Sequence, residues 1–145
     1  MKYFTTDWWA NGGDDLTAFT QYEAYLASAR AHLPPALSLL ESQYTLHDSK
    51  VSLICNNFER KTVDLQLRGW DRALLHRVNY TLKFLDVKEF VQTLSSESAE
   101  ELGDLGYWEC EYLAPLVEMR MLFASSAEFR IVFGGFAFTH ETPNA

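Results

Sequence analysis

The order of apolar and polar residues along the chain changes its period near position 50. Before that position, apolar residues recur three or four places apart, which is typical of a helix that buries one face. The spacing predicts one helix over residues 15–32 and a second over about 35–44. Pro34 and Pro35 separate them, because proline ends a helix but suits the first turn of the next one.

After position 50, apolar and polar residues alternate, as in strands with one buried face. Strands that follow one another without long intervening helices pair antiparallel. We therefore expect a single α+β domain over residues 1–145. An N-terminal helical pair (about 1–46) packs on a curved, mostly antiparallel sheet of about six strands (about 50–138). The clearest alternations cover residues 51–55, 63–67, 78–84, 108–112, 117–123 and 129–133, with a short acidic helix or loop over 95–103.

Cysteine usage and hydropathy indicate the compartment. Cys55 and Cys110 both fall at apolar positions of predicted strands and lack the spacing of a zinc site, so we expect two buried free thiols. The residues after Met1 do not form a secretory signal, and no apolar run is long enough to cross a membrane. The expectation is a cytoplasmic protein without metal or cofactor.

The net charge of −8 is unevenly distributed. Residues 50–90 are basic, whereas residues 91–145 carry two Lys or Arg against nine Asp or Glu. Affinity for nucleic acid comes largely from Lys and Arg on phosphates, so an acidic chain of this kind is not expected to bind it.

The acidic C-terminal region has two interpretations. It is a solvated face that keeps the protein soluble, or a negative patch that captures a basic protein partner. Alternation in the predicted strand places Glu109 and Glu111 on one wet face. Trp70, in a predicted loop, is a candidate aromatic anchor. The candidate partner contacts are Trp70, Glu97, Glu100, Glu101, Asp104, Glu109 and Glu111.

Catalytic motifs are not found in the sequence. It holds no nucleophile elbow, phosphate loop, paired-histidine zinc motif or C-x-x-C. His47 and Asp48 form an acid–base pair only if their segment is a turn. We therefore expect a non-enzymatic protein-binding module. One alternative is a small-ligand-binding protein or enzyme with an aromatic pocket between helices and sheet, and another is a homodimer formed along an edge strand. The pocket candidates are Tyr22, Tyr25, Tyr80 and Phe84.

Two short motifs carry a resemblance. Residues 1–5 (M-K-Y-F-T) followed by Trp8, and residues 46–49 (L-H-D-S) entering a strand, resemble a family of small uncharacterised bacterial proteins that open M-K-Y-F-T-x-x-W. This resemblance implies helices followed by antiparallel strands and a bacterial cytoplasmic setting. The run of hairpins with an acidic surface is also similar to toxin-immunity proteins, which implies an inhibitor of a basic toxin.

Overall fold

The computed structural model describes residues 1–13, 15–94 and 101–143. Within these ranges, three helices precede eight strands, which confirms an α+β fold with N-terminal helices. The helices are Thr6–Ala10 (α1), Thr17–Ala29 (α2) and Pro35–Gln43 (α3), with a 3₁₀ turn at Arg30–His32. The strands are Lys50–Asn57 (β1), Thr62–Trp70 (β2), Arg77–Leu85 (β3), Glu89–Thr93 (β4), Leu105–Leu113 (β5), Leu116–Phe123 (β6), Glu128–Phe133 (β7) and Gly135–Glu141 (β8). None of the described helices is long and apolar enough to cross a membrane.

The strands form two four-stranded sheets, where the sequence predicted one curved sheet of about six strands. The first sheet has the order β1-β2-β3-β8 and the second β4-β7-β6-β5. All neighbouring strands are antiparallel. The chain passes from one sheet to the other between β3 and β4 and again between β7 and β8. Antiparallel pairing is therefore confirmed, and the partition into two sheets is new.

The main core lies where the apolar faces of the two sheets meet. Tyr80 and Phe84 from one sheet and Met119 and Phe133 from the other belong to one buried cluster. Leucines of α3 enter the same cluster, so this helix closes part of the space between the sheets. The alternation seen in the sequence thus orients most strands correctly toward a shared interior.

Strand β1 departs from its predicted orientation. A bulge between Val51 and Leu53 shifts its register against β2. The extra residue reverses which side chains face inward, so Val51 and Ile54 pack on the core while Leu53 is exposed. The prediction of two buried thiols is therefore wrong for Cys55, which is exposed; Cys110 is free and buried as expected.

Strand β5 is enclosed by the N-terminal residues of the chain. Helix α2 runs beside its open edge, and residues 1–10 cover the face that points away from the main core. Phe4 and Tyr22 are buried in a second, smaller cluster there. The indole of Trp9 lies so close to Gly106 that a Cβ atom at that position would clash with it. Only glycine permits this approach.

Candidate ligand-binding cleft

An open hollow of about 490 Å³ lies between α2, α3 and β5. A second hollow of about 360 Å³ shares Phe19, Arg72, Tyr107 and Trp108 with it. We call the two together the cleft. Their sizes fall in the range of about 300–1,000 Å³ that is usual for sites that bind small organic molecules.

Aromatic rings form the apolar walls of the cleft. Tyr107 and Trp108 are consecutive residues of β5, so their side chains point to opposite faces of the strand. Because β5 is an edge strand, both rings reach the cleft around that edge. The ring of Tyr107 stacks on Phe4 with centroids 5.3 Å apart, and Phe19 lies 5.0 Å from Phe4. The walls therefore offer aromatic surface to a flat apolar group.

Two tyrosines of α2 occupy the edge of β5 beside the cleft. The Tyr22 hydroxyl accepts a hydrogen bond from the backbone N–H of Cys110 at 2.7 Å. The Tyr25 hydroxyl accepts one from the backbone N–H of Tyr112, also at 2.7 Å. Tyr22 and Tyr25 are three residues apart and share one face of the helix. Cys110 and Tyr112 are two residues apart, so their N–H groups point to the same side of the strand, and each hydroxyl meets one of them. These hydroxyls satisfy amides that would otherwise be open to another strand.

Glu41 of α3 is a partly buried carboxyl group that lines the cleft. Its Oε1 accepts hydrogen bonds from Trp108 Nε1 at 3.1 Å, from Cys110 Sγ at 3.4 Å and from the Tyr22 hydroxyl at 3.4 Å. Burial raises the pKa of Glu41 to about 7, and the hydrogen bonds from these three donors offset only part of that rise. Glu41 therefore changes its protonation state near neutral pH.

The thiol and the phenol beside Glu41 stay protonated. Burial raises the pKa of Cys110 well above its ordinary value, and the neighbouring Glu41 raises it further. Burial also raises the pKa of Tyr22. A thiol is reactive as the thiolate, so Cys110 acts here as a buried hydrogen-bond donor.

Two guanidinium groups line the larger hollow. Arg30 comes from the 3₁₀ turn after α2, and Arg72 from the loop between β2 and β3. Arg72 Nη1 donates a hydrogen bond to the backbone carbonyl of Ser42, in the last turn of α3. The last carbonyls of a helix have no partner within their own helix and are therefore free to accept from a side chain. This hydrogen bond holds Arg72 at the cleft. Over the described residues, neither arginine has a carboxylate within ion-pair distance.

His47 lines the smaller hollow. Its Nδ1 donates to the backbone carbonyl of Gly106 at 2.6 Å, and its Nε2 lies 3.6 Å from Asp48 Oδ1. The segment is a turn in which Asp48 has a φ of 60°, so the two side chains meet although they are adjacent in sequence. In the described ranges, no group of three or more His, Cys, Asp or Glu side chains could hold a metal ion.

The structure places the predicted partner contacts in separate environments. Trp70 ends β2, partly buried, with the guanidinium of Arg77 at 4.0 Å from its ring centroid. Glu101 is exposed, and Asp104 lies 3.9 Å from Lys50 Nζ. Glu97 and Glu100, with most of the predicted acidic segment 95–103, lie outside the described residues.

Glu109 and Glu111 are not two exposed carboxylates on one face. Glu109 has no exposed surface: its carboxylate accepts the backbone N–H groups of Lys2, Tyr3 and Phe4 at 2.6–2.8 Å. The sequence pattern placed it on a wet strand face, but residues 1–4 cover that face. Glu111 is partly exposed and pairs with Arg120 at 2.9 Å.

Arg120 forms ion pairs with several acidic residues of the second sheet. Its guanidinium lies 3.1 Å from a carboxylate oxygen of Glu109 and 3.1 Å from one of Glu118. Arg130 approaches Glu118 at 3.5 Å and Glu89 at 2.7 Å. Cross-strand pairing with Arg120 thus engages Glu109 and Glu111, two of the six acidic residues that the sequence assigned to a partner surface.

The aromatic residues expected in a pocket also separate. Tyr22 lines the cleft, and Tyr25 binds the edge of β5. Tyr80 and Phe84 lie in the core between the two sheets. A hollow lies between helices and sheet, but three of the four predicted aromatics do not line it.

Sequence reasoning missed the polar residues of the cleft. Glu41 lies four positions after Leu37 and therefore on the apolar face of α3, which was the available signal. No sequence signal marked Arg30 or Arg72 as a cleft residue, because each lies in a short connection whose path depends on packing. No family model matches this chain, and no curated protein matches it.

Proposed function

We propose that this protein binds a small organic ligand in the cleft and acts by binding, not by catalysis. The observation that carries the proposal is the combination of aromatic walls with a partly buried carboxyl group, Glu41, inside a hollow of about 490 Å³. Ligand sites of this size are mostly apolar with a few convergent polar groups. The nearest thiol, Cys110, is buried and protonated, which favours binding over nucleophilic chemistry.

The cleft supports a function better than the acidic surface does. Recognition of a basic partner needs carboxylates that are exposed and unpaired. Glu109 is buried under the N-terminal residues, and Glu111 and Glu118 are paired with Arg120. The cleft, by contrast, leaves Phe19 37% exposed. Exposed aromatic surface in a hollow is stabilised when a ligand covers it.

The test uses N-phenyl-1-naphthylamine, an uncharged dye whose fluorescence rises in apolar surroundings. We expect the wild-type protein to bind it in one site. Phe19→Ala removes part of the wall and should weaken binding about tenfold, since the lost contact is worth about 1.5 kcal/mol. The matched control is Phe58→Ala, because Phe58 is 85% exposed in the β1–β2 turn and does not line the cleft.

A second variant guards against a merely structural effect. Ser42→Trp adds bulk at the rim of the larger hollow and leaves the Ser42 carbonyl available to Arg72. It should also weaken dye binding while the urea midpoint stays near that of the wild type. Equal dye affinity in the wild type, Phe19→Ala and Ser42→Trp would refute the proposal, as would absence of binding.

A further inference from the structure

We propose that the ligand of the cleft is a flat aromatic molecule that carries an anionic group, held by Arg30 and Arg72. The inference rests on the proposed function and specifies its ligand class. Guanidinium groups bind carboxylates, sulfonates and phosphates through parallel N–H donors, so two of them at one hollow favour an anion.

Arg30 and Arg72 differ from the other arginines because they line the cleft and have no carboxylate partner among the described residues. Arg120 and Arg130 lie against two or more carboxylates each, and Arg77 covers the ring of Trp70. Across the residues that the structure describes, Arg30 and Arg72 lie beyond ion-pair distance of any carboxylate. The same holds for Arg60, Arg68 and Arg77, but none of those three lines the cleft. Arg72 is nevertheless held in place by the Ser42 carbonyl, which leaves its other donors available. A positioned and unpaired guanidinium in an acidic protein is suited to an external anion.

The aromatic walls define the other half of the ligand. Phe19, Tyr107 and Trp108 line both hollows of the cleft together with Arg72. A planar ring between such walls gains contact on its faces and edges, whereas a flexible polar molecule would lose more conformational entropy for less apolar contact. The joint lining therefore favours a ring system with its charged group directed toward the arginines.

The carboxyl group of Glu41 is compatible with an anion. Its Oε1 is occupied by three donors, and no described residue donates a hydrogen bond to Oε2. In the protonated acid, Oε2 is then the atom that carries the proton and can donate it in a hydrogen bond to the anion. Burial holds the pKa of Glu41 near 7, so protonation is available at neutral pH. Glu23, together with the ionised fraction of Glu41, opposes an anion here, whereas the two guanidiniums favour it.

The experiment compares two dyes that differ by one anionic group. 8-Anilinonaphthalene-1-sulfonate is N-phenyl-1-naphthylamine with one sulfonate added. We expect the wild type to bind the sulfonate about tenfold more tightly, as one favourable charge pair of about 1.4 kcal/mol requires. The preference should fall as salt is raised, because screening weakens an exposed ion pair.

Two double variants test which arginines attract the sulfonate group. Arg30→Gln with Arg72→Gln should abolish the preference for the sulfonate dye over the uncharged dye. Arg60→Gln with Arg68→Gln makes the same change in net charge outside the cleft and should keep the preference. Near-UV circular dichroism and the urea midpoint verify that each variant is folded, since the sulfonate dye also binds partly unfolded chains.

The outcomes separate this inference from the proposed function. If both dyes bind equally, or if the preference survives in the Arg30–Arg72 variant, the anionic ligand class is wrong while the cleft still binds ligands. Tighter binding of 1-naphthylmethylammonium than of the sulfonate dye would likewise overturn it, in favour of a cationic ligand. If neither dye binds, the proposed function itself fails.

Discussion

The hydroxyl group of Tyr22 accepts a hydrogen bond from the backbone amide of Cys110 and donates one to Glu41. One side chain of α2 therefore satisfies the edge of a sheet and orients the carboxyl group of the cleft. The phenol is buried, and so is the amide that it binds. Helix, strand and cleft are coupled through this single oxygen atom.

Removal of that oxygen should destabilise the fold. Tyr22→Phe leaves the buried N–H of Cys110 without a partner, which costs about 1–3 kcal/mol. Equilibrium unfolding in urea measures the loss as a lower midpoint at an unchanged slope. Tyr3→Phe is the matched control, because the Tyr3 ring packs on Tyr22 but its hydroxyl has no hydrogen bond among the described residues. Equal stability of the two variants would contradict the role given to the Tyr22 hydroxyl.

Glu41 should make stability depend on pH. Its pKa is about 7 in the folded protein against an ordinary value of 4.5, so the folded state holds the proton more tightly than the unfolded state. The free energy of unfolding therefore falls as pH rises from 4.5 to about 7, and this group contributes a loss of about 3 kcal/mol.

Glu41→Gln isolates that contribution. The amide cannot ionise, so its unfolding free energy minus that of the wild type should increase by about 3 kcal/mol between pH 4.5 and pH 7.5. Urea titrations at several pH values measure the difference, in which other titrating groups cancel. Glu23→Gln, which removes a carboxylate from the exposed side of the same cleft, is the control. A constant difference between Glu41→Gln and the wild type would show that Glu41 ionises normally.

Glu109 should be the most sensitive carboxylate of the second sheet. Glu109→Gln replaces one acceptor oxygen with a donor that faces backbone N–H groups or Arg120, and it leaves that guanidinium with one carboxylate fewer. We expect a loss of about 2–4 kcal/mol, because a buried group that loses its charged partner is strongly destabilised. Urea unfolding measures it. Glu111→Gln, which also contacts Arg120 but is partly exposed, should cost less than half as much.

The two cysteines should differ in reactivity by orders of magnitude. Cys55 is exposed on β1, whereas Cys110 is buried and its thiol has a raised pKa. In the native protein, 5,5′-dithiobis(2-nitrobenzoate) should modify one thiol quickly and the second only after denaturant is added. Cys55→Ser should remove the fast phase. Fast modification of both thiols in the native state would mean that β5 opens readily.

The local pattern of apolar residues predicted most elements because each keeps one period along its length, of three to four residues in a helix and two in a strand. The predicted helix over 15–32 appears as α2 and the 3₁₀ turn, and the second over 35–44 as α3. The strand alternations reappear in β2, β3, β6 and β7. Strand β4 was missed, since Glu89–Thr93 is short and mostly exposed and so has no buried face to produce an alternation.

Long-range contacts explain what the pattern could not supply. The bulge near Ser52 reverses which side chains of β1 face the core after that point. The preceding residues contain no glycine or proline that would mark it. Glu109 falls at a position that the alternation predicts to be solvated. It is buried because its carboxylate binds backbone amides more than 100 positions away. Glu41 likewise receives its donors from α2 and β5. Site residues whose environment is built by distant segments leave only weak local signals.

The enclosure of β5 has a consequence for the order in which the molecule opens. Edge strands ordinarily fray first, because their outward amides exchange with solvent without disturbing the rest of a sheet. In this protein the outward amides of Cys110 and Tyr112 are held by side chains of α2, and the strand's second face lies under the chain's first residues. Deuterium should therefore enter β5 as late as it enters the central strands, so that this edge is released only when the whole domain unfolds.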